Sequence, residues 1–472
     1  MKINMTEWAK AVIDSKKVMA VPIMTHPGIE MIGRRVIDAV SDLNDINSAD
    51  IEQISVLKDA SSTAIYGSRG ANGVIIVTTR QGVTSKPSVT AKAEFGVSKL
   101  ARDLDLMDAQ EFVRYLNDRN YFSSRDPQRP PRFDPSEYGR GTDWIDEITR
   151  TALYSNYALS LSGTSDKSSY YASFSYNDTE GIIQDSGQQR FTGRINLERQ
   201  LFKWMKVGYT GSYTWRHNDQ NKSSIGGTAW YSSAQYLSPL LKPNDTYNPL
   251  YYNGQKINTQ RALIDLNTYY LERHSNNHAF TLKLEPVKNF TINSTFSYYL
   301  YQRHTYRYYP GTLPLKGENE GGEAYRAEWD EHSFSWETTA GYKFEKNGHS
   351  FDVLGGFSAY SFASHDFNLS GKGYMDDAIL WNNMNAVQDK ETYSAGTSYS
   401  KKTKTSVYAR LEVALLPDRD GTLRRSLELR GQQQVGVLPV GRPQVEHFER
   451  EFPEGLQLDR RPVAAPERRS DG

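Results

Sequence analysis

Seven residues of one polar stretch carry groups suited to recognising a carbohydrate: Trp230, Tyr231, Asn244, Tyr247, Tyr251, Tyr252 and Asn253. Sugar rings stack on aromatic faces and side-chain amides match hydroxyls, so these are candidate ligand-contacting loop residues. For each of them an interfacial girdle or loop packing is the plainer role. A second set, Lys58, Asp59, Tyr66, Gly67, Arg69, Gly70, Asn72 and Gly73, joins dense glycine punctuation to charged side chains within residues 50–82. For each of these, folding the segment is the plainer role. Covalent chemistry has no comparable set. The 9 histidines are scattered, and no HExxH, Gly-x-Ser-x-Gly elbow or phosphate loop ending in Gly-Lys-Ser/Thr occurs. With no cysteine there are no disulfides, thiolate metal sites or cysteine nucleophiles. Asp143 with Asp146, and Asp376 with Asp377, are paired carboxylates in polar stretches where a solvated face or turn explains them. No enzyme is expected, and no catalytic residue, metal ligand or cofactor is assigned.

The elements that position these residues are strands. Residues 54–58 read as a short strand, Asp59 as the cap of a helical turn to about Tyr66, and Gly67 as a left-handed stop. Residues 69–73 make a tight turn, and residues 74–79 form a β-branched run expected to be buried on both faces. Residues 103–120 read as a short helical piece. From about Tyr154 the apolar residues alternate. Tyr170, Ala172, Phe174 and Tyr176 share one face, and Phe191, Gly193, Ile195 and Leu197 oppose Thr192, Arg194 and Asn196. The same period of two runs through Val207 to Trp215, Phe280 to Leu284, Phe290 to Tyr298 and Phe334 to Phe344. It then continues through Asn347-Gly348, a hairpin signal, into Phe351, Val353, Gly355 and Phe357. Roughly nine such strands are legible.

Composition agrees with strands that cross a membrane. No stretch approaches the ~18 to 20 apolar residues of a spanning helix, and the mean hydropathy of -0.67 would ordinarily read as soluble. A β-barrel escapes that test, because only alternate residues face lipid. The 31 Tyr and 8 Trp would stock aromatic girdles. Short turns alternate with long polar stretches at residues 218–275 and 303–329, as short inner turns and long outer loops would. Fifty-six basic residues balance 56 acidic ones, so no overall field attracts nucleic acid.

Residues 50–82, with LNDIN at 43–47, resemble the plug signature of TonB-dependent outer-membrane transporters of the SusC/RagA family. The resemblance implies a β fold, a partial antiparallel outer-membrane β-barrel preceded by part of a small α/β plug domain. The intact parent would have about 22 strands around the plug. It also implies import of glycan or peptide fragments across the outer membrane, beneath a SusD-like lipoprotein lid and driven by the TonB energy-transducing complex. The partners are then those proteins, an oligosaccharide or peptide substrate, and outer-membrane lipid. The organisation expected is the carboxy-terminal part of the plug at 42–100, a plug-to-barrel connection at 101–153 and the first part of the barrel at 154–411. Residues 142–148 resemble the segment entering the first barrel strand of such proteins.

Both ends read differently. Residues 1–41 have no apolar core of a signal peptide, and residues 22–30 resemble the start of a uroporphyrinogen-decarboxylase-like protein. Residues 412–472 lose the alternation and read as a disordered tail. Read one nucleotide later with permitted synonymous codons, residues 416–454 resemble the next strand of SusC-like barrels, which suggests a frameshift near residues 412–416. The chain as written is then expected to be an inactive chimeric fragment. Two other classes stay open. One is a secreted carbohydrate-binding β-protein, and the other a decarboxylase-like enzyme, which would need a (β/α)₈ barrel.

Overall fold

The computed structural model describes residues 23–26, 46–57, 74–82, 86–101, 105–122, 134–219, 234–235, 237–245, 247–248, 255–256, 268–312, 321–346, 349–388, 390–415 and 426–437. Two sheets organise them. The small one contains β1 (Ile23–His26), β2 (Ile51–Leu57) and β3 (Val74–Thr79), with β3 in the middle, antiparallel to β2 and parallel to β1. Its centre is β-branched: Ile75, Val77 and Thr79 are almost wholly buried, at 3%, 0% and 1% exposure. Ile76 and Thr78 on the other face are only half-buried, which corrects the expectation of burial on both faces.

The large sheet is an antiparallel meander whose neighbours follow chain order. Its strands are β4 (Ser88–Ser98), β5 (Ala152–Thr164), β6 (Ser168–Glu180), β7 (Gly187–Phe202) and β8 (Met205–Asp219), then β11 to β16. Between β8 and β11 lies a separate hairpin, β9 (Tyr247–Asn248) with β10 (Gln255–Lys256). The remaining strands are β11 (Thr268–Val287), β12 (Phe290–Tyr309), β13 (Gly322–Lys346), β14 (His349–Tyr374), β15 (Ser394–Leu415) and β16 (Ser426–Val437). At one end the turns are short: residues 165–167, 203–204 and 288–289, and the two-residue gap between Lys346 and His349, which face each other across the hairpin. At the other end the connections run over residues 99–151, 181–186, 220–267, 310–321 and 375–393.

Three sequence expectations are corrected here. Residues 88–98, expected within the plug, form the edge strand β4, paired with β5. Residues 142–148 therefore enter the second strand of the large sheet, and residues 99–151 join two strands rather than plug to barrel. Residues 426–437, expected to be disordered, pair with β15; Leu427, Leu429, Val435 and Val437 share one alternate set of positions there, interrupted by Gly431 and Gln433.

The 99–151 connection carries α1 (Ala109–Phe122) and α2 (Trp144–Ile148). Asp108 and Glu111 cap α1 reciprocally, each side chain accepting from the other's backbone N–H at 2.9 and 3.1 Å. Asp143 caps α2, accepting from the N–H of Ile145 and Asp146. That is a structural use of the Asp143 and Asp146 pair.

The two faces of the large sheet differ in kind. One face packs the small sheet and is here called inner. It is lined by Asn156, Ser175, Asn177, Thr192, Thr210, Ser297 and other buried polar residues. The outer face exposes large apolar side chains, with Phe280, Phe296 and Trp336 as direct cross-strand partners at 55%, 44% and 49% exposure. On β12 the outer positions are mainly apolar from residue 290 to 300 and then become Gln302 and His304. On β13 they are apolar or small from 344 to 334 and then become His332, Asp330 and Glu328. Eleven residues at about 3.3 Å each, tilted by about 40–45°, give a band roughly 26–28 Å high, the height of a bilayer's hydrocarbon layer. Among the described residues no helix is long and apolar enough to cross a membrane.

Candidate functional site

The inner face meets the small sheet through polar contacts low on β6 and β7. The Tyr171 hydroxyl donates to Asp50 Oδ1 at 2.7 Å, and both residues are buried, at 4% and 2% exposure. The Asn196 amide donates to the Arg80 carbonyl at 2.7 Å and reaches the Thr79 hydroxyl at 3.4 Å. Tyr171 and Asn196 are themselves cross-strand partners, so one row of the wall holds one end of the β2 and β3 pair, where the Arg80 N–H donates to the Asp50 carbonyl at 2.8 Å. A buried carboxylate without a donor is costly, so the Tyr171 hydroxyl is a positioning contact for the whole small sheet.

Six residues further along β7 lies Arg190, and its row on the inner face is unusual. Arg190 pairs with Arg216, Arg216 with Arg273, and Arg273 with Arg303, across four neighbouring strands. Asn177 and Asn156 continue the row on one side, Trp329 and Asp366 on the other. Arg303 lies over the Trp329 ring at 5.6 Å, and Arg307 over Tyr309 and Tyr325 at 5.1 and 4.9 Å. Arg307 also reaches Glu323 at 3.8 Å. The next inner row towards the small sheet is hydroxyl-bearing, with Thr192, Thr214, Ser275 and Tyr301 in succession. Sequence reasoning placed Arg194 on this face but missed the row, because its register crosses a connection of 48 residues between β8 and β11.

The candidate ligand-contacting loop is held from its base. Trp144 Nε1 donates to the Ser238 carbonyl at 3.0 Å, and Thr142 Oγ1 to the Leu241 carbonyl at 2.6 Å. Trp144, Ile145, Ile148, Ala234 and Leu241 form a buried cluster there. Asn244 is exposed in a turn closed by Lys242 and Asp245. Tyr247 lies in β9 opposite Lys256. Trp230, Tyr231, Tyr251, Tyr252 and Asn253 lie outside the described residues, as do Lys58, Asp59, Tyr66, Gly67, Arg69, Gly70, Asn72 and Gly73.

Outside the apolar band, the 375–393 connection folds onto the outer face. Trp381 packs between Tyr270 and Tyr306, with ring centroids 5.1 and 5.4 Å away. Asp377 accepts from the Tyr308 hydroxyl at 2.8 Å and from the Gly311 N–H at 2.9 Å, while Asp376 caps the turn beside it. This pair of carboxylates is thus a fastening. Burial, then the bond to Asp377, holds the Tyr308 phenol well above its ordinary range. Among the described residues the only metal-capable group is Glu272, His274 and His304, on the same outer face with ligand atoms within 4.8 Å. Glu272 accepts from Trp215 Nε1 at 2.7 Å, and Tyr213 bonds His274 Nδ1 at 3.0 Å, so aromatic neighbours already engage two of its three members.

An inner wall gripping a small sheet, and an outer band of bilayer height, match what comparison with known proteins finds. Residues 26–74 match the TonB-dependent receptor plug domain. The chain is 31% identical over 348 residues to TonB-dependent receptor P3 of Formosa agariphila, covering 71% of this chain and 33% of that protein. It is 35% identical over 244 residues to TonB-dependent receptor SusC of Bacteroides thetaiotaomicron, covering 50% of this chain and 23% of that one. Its fold superposes on the structure of the RagAB peptide transporter with a TM-score of 0.73 and 21% identity, over 89% of this chain and 49% of that one. The chain is similar in sequence to TonB-dependent receptors, SusC among them. It spans about a third of the length of the curated receptors it matches. Those relatives are receptors and not enzymes. The plug-domain match begins within residues 1–41, where β1 supplies an edge strand to the plug sheet.

Proposed function

We propose that this receptor-like chain forms plug and wall of an outer-membrane importer for glycan or peptide fragments. The substrate is captured beneath a SusD-like lipoprotein, and the plug is moved by the TonB complex. The observation that carries the reading is the pairing of two faces: an apolar outer band of membrane height, and a polar inner wall whose Tyr171 and Asn196 hold the plug sheet. Polar contacts such as those at Tyr171 and Asn196 can be exchanged without unfolding the wall. The exposed row of Phe280, Phe296 and Trp336 speaks against a secreted carbohydrate-binding protein, which would leave that surface in water. In cells producing the protein, uptake of a labelled oligosaccharide or peptide mixture should require both outer-membrane insertion and TonB. Uptake that persists unchanged without TonB would refute the reading.

A further inference from the structure

We propose that the row Arg190, Arg216, Arg273 and Arg303 selects oligosaccharides bearing carboxylate or sulfate groups; this rests on the import reading above. Like charges directly opposite in an antiparallel sheet destabilise it, and here three successive cross-strand pairs are all arginine. The row gathers four guanidinium groups at one level of the inner face. The planar guanidinium presents a fork of donors that matches carboxylate and sulfate oxygens two at a time.

The neighbours fit a hydroxylated chain. Asn156 and Asn177 extend the row as amides, Trp329 and then Asp366 continue it on the other side, and Thr192, Thr214 and Ser275 line the adjacent row as hydroxyls before it reaches Tyr301 and Glu331. Neighbouring strands lie about 4.8 Å apart, so the four arginines span about 14–15 Å, enough for several charged units. Arg216 lies deepest, at 3% exposure, while Arg190, Arg273 and Arg303 remain partly exposed. Four residues below Arg190, Arg194 is 5% exposed and keeps Nε and Nη1 without a hydrogen-bond partner among the described residues.

The level of the row also fits. On β12, Arg303 lies between Gln302 and His304, just past the apolar band on the side of the long connections. On β7 the row stands six residues beyond the plug contact at Asn196. An anionic chain arriving from the long-loop side meets the arginines before it meets the plug.

The test is calorimetric titration of the purified protein in detergent with hexagalacturonate, maltohexaose and hexaglutamate. Hexagalacturonate should bind at least tenfold tighter than maltohexaose, with an affinity that falls as salt rises. The double variant Arg273→Gln with Arg303→Gln should lose that preference without a fall in melting temperature, and Arg273→Lys with Arg303→Lys should keep part of it. Equal binding of maltohexaose, unmoved by the variants, would overturn the charge selection and leave the import reading standing. A preference for hexaglutamate would overturn the assignment to oligosaccharides. Binding of none of the three would count against both readings.

Discussion

At Tyr171 one hydroxyl joins the wall to the plug sheet, and removing it tests that role with little change of shape. Tyr171→Phe leaves the Asp50 carboxylate buried and short of a donor, which costs about 1–3 kcal/mol. Hydrogen exchange should therefore quicken in β2 and β3 while the strands of the large sheet keep their protection. Gly141 is a second single-residue hinge of the fold. Its φ of +79° belongs to the left-handed region, and a Cβ there would meet the Pro239 carbonyl oxygen and the Ala109 side chain. Gly141→Ala should cost about 1–3 kcal/mol and lower the melting temperature, loosening the junction of α1 with the loop base around residue 239. Neither role was legible in the sequence. Period-two alternation puts Tyr171 opposite the face of Tyr170 and Ala172, but its partner is 121 positions away, and a positive φ leaves no mark beyond the glycine itself.

The element with the clearest chemistry of its own is the 375–393 connection, clasped to the outer face above the apolar band. Burial and the nearby Tyr393 push the Tyr374 phenol up to about 12, and burial with the Asp377 bond raises Tyr308 as well. A phenol whose folded value lies above the ordinary ~10 stabilises the neutral, folded form fully below about pH 10. That contribution is lost as the pH climbs through 12. The clasp should thus hold through neutral pH and release in alkali, with proteolysis between residues 375 and 393 appearing above about pH 11; cleavage equally fast at pH 8 would contradict it. Strands such as β6, β7, β12 and β14 were legible because half their residues are apolar at every second position. The edge strands β4 and β16 were not. β4 directly follows the plug-like segment, and the alternation of β16 is interrupted by Gly431 and Gln433. Edge strands have one partner and one covered margin, so their sequences are less constrained.

At the scale of the molecule, an exposed outer face only makes sense in lipid. Phe296 lies near the middle of the band, between Phe280 and Trp336. An arginine there should cost about 2–4 kcal/mol in a bilayer, whereas on a water-facing surface the same change would be nearly neutral. The fold class and the location of the polar wall could be read from period-two patterning, since burial on one face alone enforces it. Register between strands separated by long connections could not, and the arginine row depends on that register. The natural absence of cysteine makes the decisive measurement clean. Single cysteines would be placed at Phe296 on the outer face, at His304 beyond the band and at Ser297 on the inner face, and the protein reconstituted in lipid vesicles. The Phe296→Cys site should resist a membrane-impermeant maleimide and be quenched by a lipid-phase quencher, while the His304→Cys site labels from the water and Ser297→Cys escapes lipid quenching. Free aqueous labelling at residue 296 would show that the outer face does not meet lipid, and the importer reading would fall with it.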